Sequence, residues 1–436
     1  MNCRPPFRIA ALGLALLALS AHAPAQEAFI SAEQRSADFT AFCDFVREQY
    51  AYFDLKKTNW DGTCTFYAPR AAAAKDRDAF VGVLERAMAE IYDHHAHLGT
   101  NTDKSPRLVP TQSQVFGTWR EGKAMIVAVR ADTPANSAGV RPGMQVLRID
   151  GEPVEAAVAA LEPKLLNAPD PAAREWALQL ALAGHRVNDV IRLSIADGSG
   201  ARDLTFAPVN TARPEALLSQ KLLGDIGYIR FNNSLGEDAL VQAFDDALAK
   251  FTSARAVVID LRDTASGGVS SVARGIMGRF IRTPMPYQRH ELVAEFRATG
   301  IRRIWVEYVA PRDPLFAQPV VVLAGHWTGS MGEGIAIGLN ATRNAPVLGE
   351  PMAHLLGALG QIDLPNTNIP VRVPAEKLFH VNGTPREAFV PCHVAAASAP
   401  TDDVELDAAL KLAHELAAKK GQADAKWKCG RTKDGS

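Results

Sequence analysis

Three short stretches hold the side chains that could do chemistry. In Thr328-Gly-Ser-Met-Gly-Glu333 a serine lies between glycines, after the apolar run Pro319 to Ala324 and before a helical pattern from about Met331. A serine at such a strand-to-helix turn exposes its hydroxyl, and the positive helix end favours negative charge developing beside it. The same residue would also serve well as a helix cap. A hydroxyl needs a base to become a nucleophile, and Asp93-His94-His95-Ala96-His97 supplies three imidazoles. One of them could be that base. Alternating histidines on a strand share a face, so His95 and His97 could instead bind a metal ion, although no H-E-x-x-H and no acidic ligand triad accompany them. A solvated polar loop would also read this way. In Asp260-Leu-Arg-Asp-Thr-Ala-Ser-Gly-Gly268, glycines follow a strand and precede a helix. Backbone N–H groups at such a place bind an anion or an oxyanion. No G-K-[S/T] follows, so a nucleotide site is not indicated, and a tight structural turn would use the same glycines.

The elements that must position these residues change along the chain. Phe39, Phe42, Cys43, Val46 and Tyr50 have helical spacing, as do Phe80, Val83, Leu84, Ala87, Met88 and Ile91, so residues 31 to 98 are expected to be helical. The polar stretch from Asn101 to Pro110 reads as a linker. A β-rich block follows, with strands expected at Ala124 to Val129, Val146 to Ile149, Val190 to Ile195 and Asp203 to Phe206. After Pro214 strands alternate with helices, the α/β signature. Ile226 to Phe231, Ala256 to Leu261 and Pro319 to Ala324 are its strands, and the two continuous apolar runs suit burial on both faces. Val404 to Leu416 is expected to be a last amphipathic helix.

Composition narrows the function classes. Lys plus Arg total 47 against 48 Asp plus Glu, a formal net charge of −1. Neither the basic footprint of a nucleic-acid binder nor a polybasic membrane patch is present. Arg4 and Arg8, the apolar run Ile9 to Leu19 and the small residues up to Gln26 have the form of a secretory signal peptide. Ala23-Pro24-Ala25 places the expected cleavage after Ala25, and the apolar run is too short to span a membrane. A periplasmic or secreted chain follows, with no membrane span after cleavage. Export leaves Cys43, Cys64, Cys392 and Cys429, an even set in an oxidising compartment. Of three possible pairings, the short-range one, Cys43–Cys64 with Cys392–Cys429, is expected.

Taken in order, His95, the block Ala131-Asp-Thr-Pro-Ala-Asn-Ser-Ala-Gly-Val-Arg-Pro-Gly-Met144, the Asp260 to Gly268 loop, and Ser330 with Glu333 three residues later resemble the S41 peptidases. These are the tail-specific or C-terminal processing proteases and their relatives of tricorn and retinoid-binding-protein type. Ala131 to Gly151 is similar to the family's PDZ stretch, Ile226 to Phe231 to the strand that opens its core, and Glu387-Ala-Phe-Val-Pro391 to its C-terminal end. The resemblance implies an α/β multidomain protein with a crotonase- or ClpP-like core, a PDZ-like β-rich domain and a helical N-terminal region. The implied division is a signal peptide over 1–25, the helical region over 26–107, the PDZ-like domain over 108–210, the protease core over 215–420 and a tail over 421–436.

The implied activity is that of a serine endopeptidase that needs no cofactor. Ser330 is the nucleophile, His95 the base and Glu387 the group that orients or charge-stabilises them, with Met331 and one of Gly267 or Gly268 as the oxyanion hole. A peptide or protein substrate would add a strand to the PDZ-like groove and leave its C-terminal carboxylate there. Three departures stand out. No Lys occurs in Ala353 to Gly360, where the processing branch keeps its base, Lys377 is too far along, and the glycine loop carries Asp263-Thr-Ala-Ser266 in place of the usual Gly-Asn. A catalytically inactive peptide-binding protein on the same fold is therefore the alternative, and a metal-dependent hydrolase using His95 and His97 a third reading. A histidine base ionises near 6.5, so activity should fall on acidification around that value, with Glu387 raising it.

Overall fold

The computed structural model describes residues 29–209, 215–394 and 403–419. The expected signal peptide lies outside the described residues. Near the N-terminus, Ala32–Gln49, Trp60–Ala72 and Arg77–Ala89 are helices. Ser31, Asn59 and Asp76 cap them, each accepting a backbone N–H near the helix start, the role their short oxygen-bearing side chains suit. Cys43 and Cys64 are bridged and tie the first helix to the second. Closing a loop with a sequence separation of 21 removes unfolded-state freedom worth about 3 kcal/mol. The double variant Cys43→Ala/Cys64→Ala is thus expected to lose about that much stability, read by urea unfolding. The expected partner bridge involves Cys429, which lies outside the described residues.

Three sheets organise the rest. One is antiparallel, with Val115–Arg120, Lys123–Val129, Gln145–Ile149, Ile191–Asp197 and Gly200–Phe206 in that order and Glu152–Pro153 beside Gln145–Ile149. Helices Val154–Leu161 and Pro171–Ala183 cover it. The first strand of this sheet and both covering helices were not among the expected elements.

A second sheet holds the α/β pattern expected after Pro214. Val347–Gly349, Val320–Ala324, Ala256–Asp260 and Ile226–Phe231 run parallel, and Leu218–Leu223 closes the edge antiparallel. Successive strand residues point to opposite faces. Val257, Ile259 and Val322 therefore pack under helices Leu240–Ala249, Ser270–Met277 and Met331–Arg343, while Val258, Val321 and Leu323 pack under Val404–Ala418. Both faces are buried, which is why these strands read as continuous apolar runs.

The third sheet was not expected. Pro370–Phe379 pairs with His97–Leu98, with Met285–Leu292 and with Ala358–Asp363, and Arg303–Val309 extends it beyond Met285–Leu292. Its Val371 and Val373 share one apolar cluster with Phe39, Phe42, Val46, Phe80 and Leu84 of the N-terminal helices. The histidine-bearing stretch is thereby sewn to residues 275 positions later.

Candidate active site

The two glycine-bearing loops meet because their strands are neighbours. Ala256–Asp260 and Val320–Ala324 are parallel and adjacent, so both chains leave the sheet at one end, where open α/β sheets place their ligands. Thr264 and Thr328 prolong the pairing as a bridge. Both threonine hydroxyls donate to the Leu261 carbonyl, at 2.8 and 2.9 Å. At the turn itself Ser330 has φ +50° and ψ −108°. Such a conformation costs a residue with a side chain about 1–3 kcal/mol and persists only where the surroundings impose it. Here the Ser330 N–H donates to Glu333 Oε2 at 2.9 Å.

Glu333 is fully buried, faces the N–H groups of His354 and Leu355, and lies 3.8 Å from Arg386 Nη2. Its S-x-x-E spacing from Ser330 was a legible capping signal. Burial pushes its carboxyl up to about 7, against the pull of Arg386. A folded-state value above the ordinary one means stability that is complete below about 4.5 and lost as pH rises through about 7. Glu333→Gln is expected to remove that loss. Its stability relative to wild type should rise between pH 5 and pH 8 in urea titrations, whereas a constant difference would show that Glu333 does not titrate there.

Gly267 fits against the serine. At φ +66° it already needs glycine's freedom, and a Cβ there would lie 2.5 Å from Ser330 Cβ and 3.0 Å from its Oγ. The Gly267 N–H, however, donates to the Thr264 carbonyl at 2.9 Å. The expectation that Gly267 could be an oxyanion donor is corrected, because its N–H closes the turn. The N–H groups of Gly268 and Met331 enter none of the described backbone hydrogen bonds.

His95 is positioned through its own backbone. Asp93, buried, accepts the His95 N–H at 2.9 Å on one oxygen and the Tyr50 hydroxyl at 2.8 Å on the other. The D-x-H spacing is thus an Asx-type turn, with the carboxylate on the main chain rather than on the ring. The ring's Nδ1 lies 2.6 Å from the Leu356 carbonyl oxygen. A carbonyl can only accept, so Nδ1 carries the proton and Nε2 keeps its lone pair. Burial pushes the ring down to about 3, so it is neutral at pH 7. The expected ionisation near 6.5, raised by Glu387, is replaced by a depressed one. His97 Nδ1 faces the His95 carbonyl at 2.8 Å, and His94 stacks on Trp176 at 5.7 Å. Among the described residues no group of three or more His, Cys, Asp or Glu is placed to hold a metal ion.

Residues 353–357 join these parts. Besides the Leu356 carbonyl on His95, the Ala353 N–H donates to the Thr328 carbonyl at 3.0 Å, next to the serine turn. Arg386, 2 % exposed, donates to the carbonyls of Leu355 and Gly357 at 2.6 and 3.1 Å. His354 Nδ1 lies 2.6 Å from the Glu387 carbonyl. The Glu387 carboxylate is held above the ordinary range by burial, and its Oε2 has no hydrogen-bond partner. No described hydrogen bond joins Ser330 to His95, or His95 to Glu387. Glu333, Arg386 and the Leu356 carbonyl were not among the residues expected at the site.

The antiparallel sheet and its flanking loops close against this place. Arg130 donates to Asp263 at 2.6 and 3.2 Å, Thr111 donates to the Ala265 carbonyl at 3.3 Å, and Trp327 donates to the Ser113 carbonyl at 3.0 Å. Phe116 stacks on His326 with centroids 4.1 Å apart. Asp263, a departure from the usual glycine loop, therefore anchors Arg130, which directly follows the strand Lys123–Val129 of the antiparallel sheet.

This architecture, mixed α/β with several sheets, is that of a class of solved proteases. Mature CPAF, solved with lactacystin, superposes with a TM-score of 0.57 at 14% identity, covering 90% of this chain and 99% of its own. The photosystem II D1 C-terminal processing protease gives 0.54 at 16% identity, over 88% and 98%. A putative peptidase from Parabacteroides merdae gives 0.53 at 17% identity, over 88% and 97%. Residues 225–389 match the model of peptidase family S41, and residues 31–89 that of the tricorn protease C1 domain. The expected resemblance to the S41 peptidases is thus shown over residues 225–389. No curated protein matches it significantly.

Proposed function

We propose that the protein is a serine endopeptidase acting outside the cytoplasm on peptides or protein segments. The Ser330 hydroxyl attacks the scissile carbonyl, and His95 Nε2 takes its proton and returns it to the leaving amine. The oxyanion that forms lies at the head of the Met331–Arg343 helix, with the N–H groups of Gly268 and Met331 as donors. Losing one such donor typically costs about 10²–10³ in rate. The Leu356 carbonyl holds the imidazole in the tautomer that a base requires. Glu387, next in sequence to the Arg386 that binds the 353–357 loop, contributes negative charge to the site. The reading divides the chain into an N-terminal helical region, a PDZ-like domain and a crotonase- or ClpP-like core. The Cys43–Cys64 bridge favours an oxidising compartment, and among the described residues no helix is long and apolar enough to cross a membrane.

One observation carries the reading: a strained serine turn at a helix start, pressed against a glycine and flanked by two unengaged N–H groups. The lack of a Ser330–His95 hydrogen bond favours the alternative, an inactive peptide binder, although catalytic hydrogen bonds often tighten only when substrate arrives. A fluorophosphonate probe separates them. Labelling that maps to Ser330 supports the peptidase, and neither labelling nor hydrolysis supports the binder. Activity lost to a chelator would support the metal-dependent reading.

A further inference from the structure

Val115–Arg120 is an edge strand, the place where an incoming peptide would add a strand to the antiparallel domain. Such an addition needs the strand's outward N–H and C=O groups. Both groups of Gly117 and the N–H of Trp119 are already taken. Gln179 on the Pro171–Ala183 helix accepts the Gly117 N–H at 3.4 Å and donates its amide to the Gly117 carbonyl. Glu175, four residues earlier on the same helix, accepts the Trp119 N–H at 3.2 Å. The spacing matches: four helical residues rise about 6 Å and two strand residues about 6.8 Å. One helix face thus imitates the polar rhythm of a paired strand.

The space is taken as well. A Cβ on Gly117 would lie 2.6 Å from Leu182 Cδ1 and 3.5 Å from Leu178 Cδ2. Leu178, Gln179 and Leu182 are all buried. A peptide strand needs roughly 4.8 Å of new separation, which would break this packing. Nor is the strand placed to shift aside, since Phe116 is stacked on His326 beside the serine turn.

We propose that Gln179 is a built-in occupant of this edge, so that the domain admits no substrate strand and substrates are chosen without their C-terminal carboxylate being read. On this proposal the C-terminal capture that the resemblance implies does not operate at this edge. The consequence for substrate choice rests on the peptidase reading, but the closed edge does not, and the tests keep them apart. In the full-length Ser330→Ala protein, fluorescent ten-residue peptides ending in Val, Leu or Ala should bind equally, or equally poorly, as free acids and as C-terminal amides. Tenfold or tighter binding of the free acids would overturn the proposal. Amide exchange at Gly117 and Trp119 in the wild-type protein should be as slow as in the interior strands, and rapid exchange at both would equally overturn it. The triple variant Glu175→Ala/Gln179→Gly/Leu182→Ala, which also vacates the space beside Gly117, should gain a free-acid preference of tenfold or more. A folded triple variant that stays indifferent to the carboxylate would remove the role assigned to Gln179, and if it does not fold the first two measurements decide. Should wild type cleave neither free acid nor amide, the peptidase reading fails while the binding and exchange results still judge the edge.

Discussion

Replacing Ser330 with alanine is expected to lower kcat for peptide hydrolysis by about 10⁴-fold or more, the loss seen when a nucleophile is removed from a serine–base system. The substitution keeps the Cβ, so the strain at φ +50° is unchanged, and the Ser330 N–H still donates to Glu333. The melting temperature should therefore hold, and covalent labelling by fluorophosphonate should vanish. Glu387→Gln is expected to cost much less, because the Glu387 carboxylate bonds neither to the ring nor to the serine. Ser330→Ala protein that retains full hydrolysis after purification would place the nucleophile elsewhere and remove the catalytic reading with it.

The second large effect separates two histidines only two positions apart. His95→Ala is expected to remove turnover almost as completely as Ser330→Ala, since a nucleophile without its base loses nearly all of its advantage. His97→Ala should retain most of it. His97 spends its Nδ1 on the His95 carbonyl and sits on the strand paired with Arg372, whereas His95 is joined to the loop that also touches the serine turn. The pH profile gives an independent reading. Burial holds His95 down to about 3, and kcat/KM reports ionisations of the free enzyme. Its acid limb should therefore lie well below 6.5. The Glu333→Gln protein is the one to profile, because Glu333 itself ionises near neutrality, at about 7. An acid limb at 6.5 persisting in that variant, or full activity in His95→Ala, would move the base to another residue.

Much of the arrangement needed only the chain. Apolar runs announced the buried parallel strands, because a strand covered on both faces has no reason to alternate. Helical spacing announced the N-terminal helices, and a serine between glycines at a strand end announced the turn at Ser330. The pairing of Cys43 with Cys64 followed from their nearness and even number. In each case the signal lies in adjacent or nearly adjacent residues, where local sterics and periodicity decide.

Tertiary structure alone decided the rest, for a physical reason common to each instance. The partner of His95 Nδ1 is a main-chain carbonyl, Leu356, 261 residues away, and a carbonyl leaves no mark on side-chain identity. Gly267 and Gly268 look alike in sequence, but only the fold commits the Gly267 N–H to Thr264. The buried Arg386 reads as an ordinary surface charge until the carbonyls of Leu355 and Gly357 close around it. The sheet that unites His97–Leu98 with Pro370–Phe379 rests on pairing across 275 residues. Gln179, one polar residue in a helix otherwise rich in Ala and Leu, acquires meaning only beside Gly117. Long-range main-chain contacts are set by topology, and the sequence of either partner contains no record of the other.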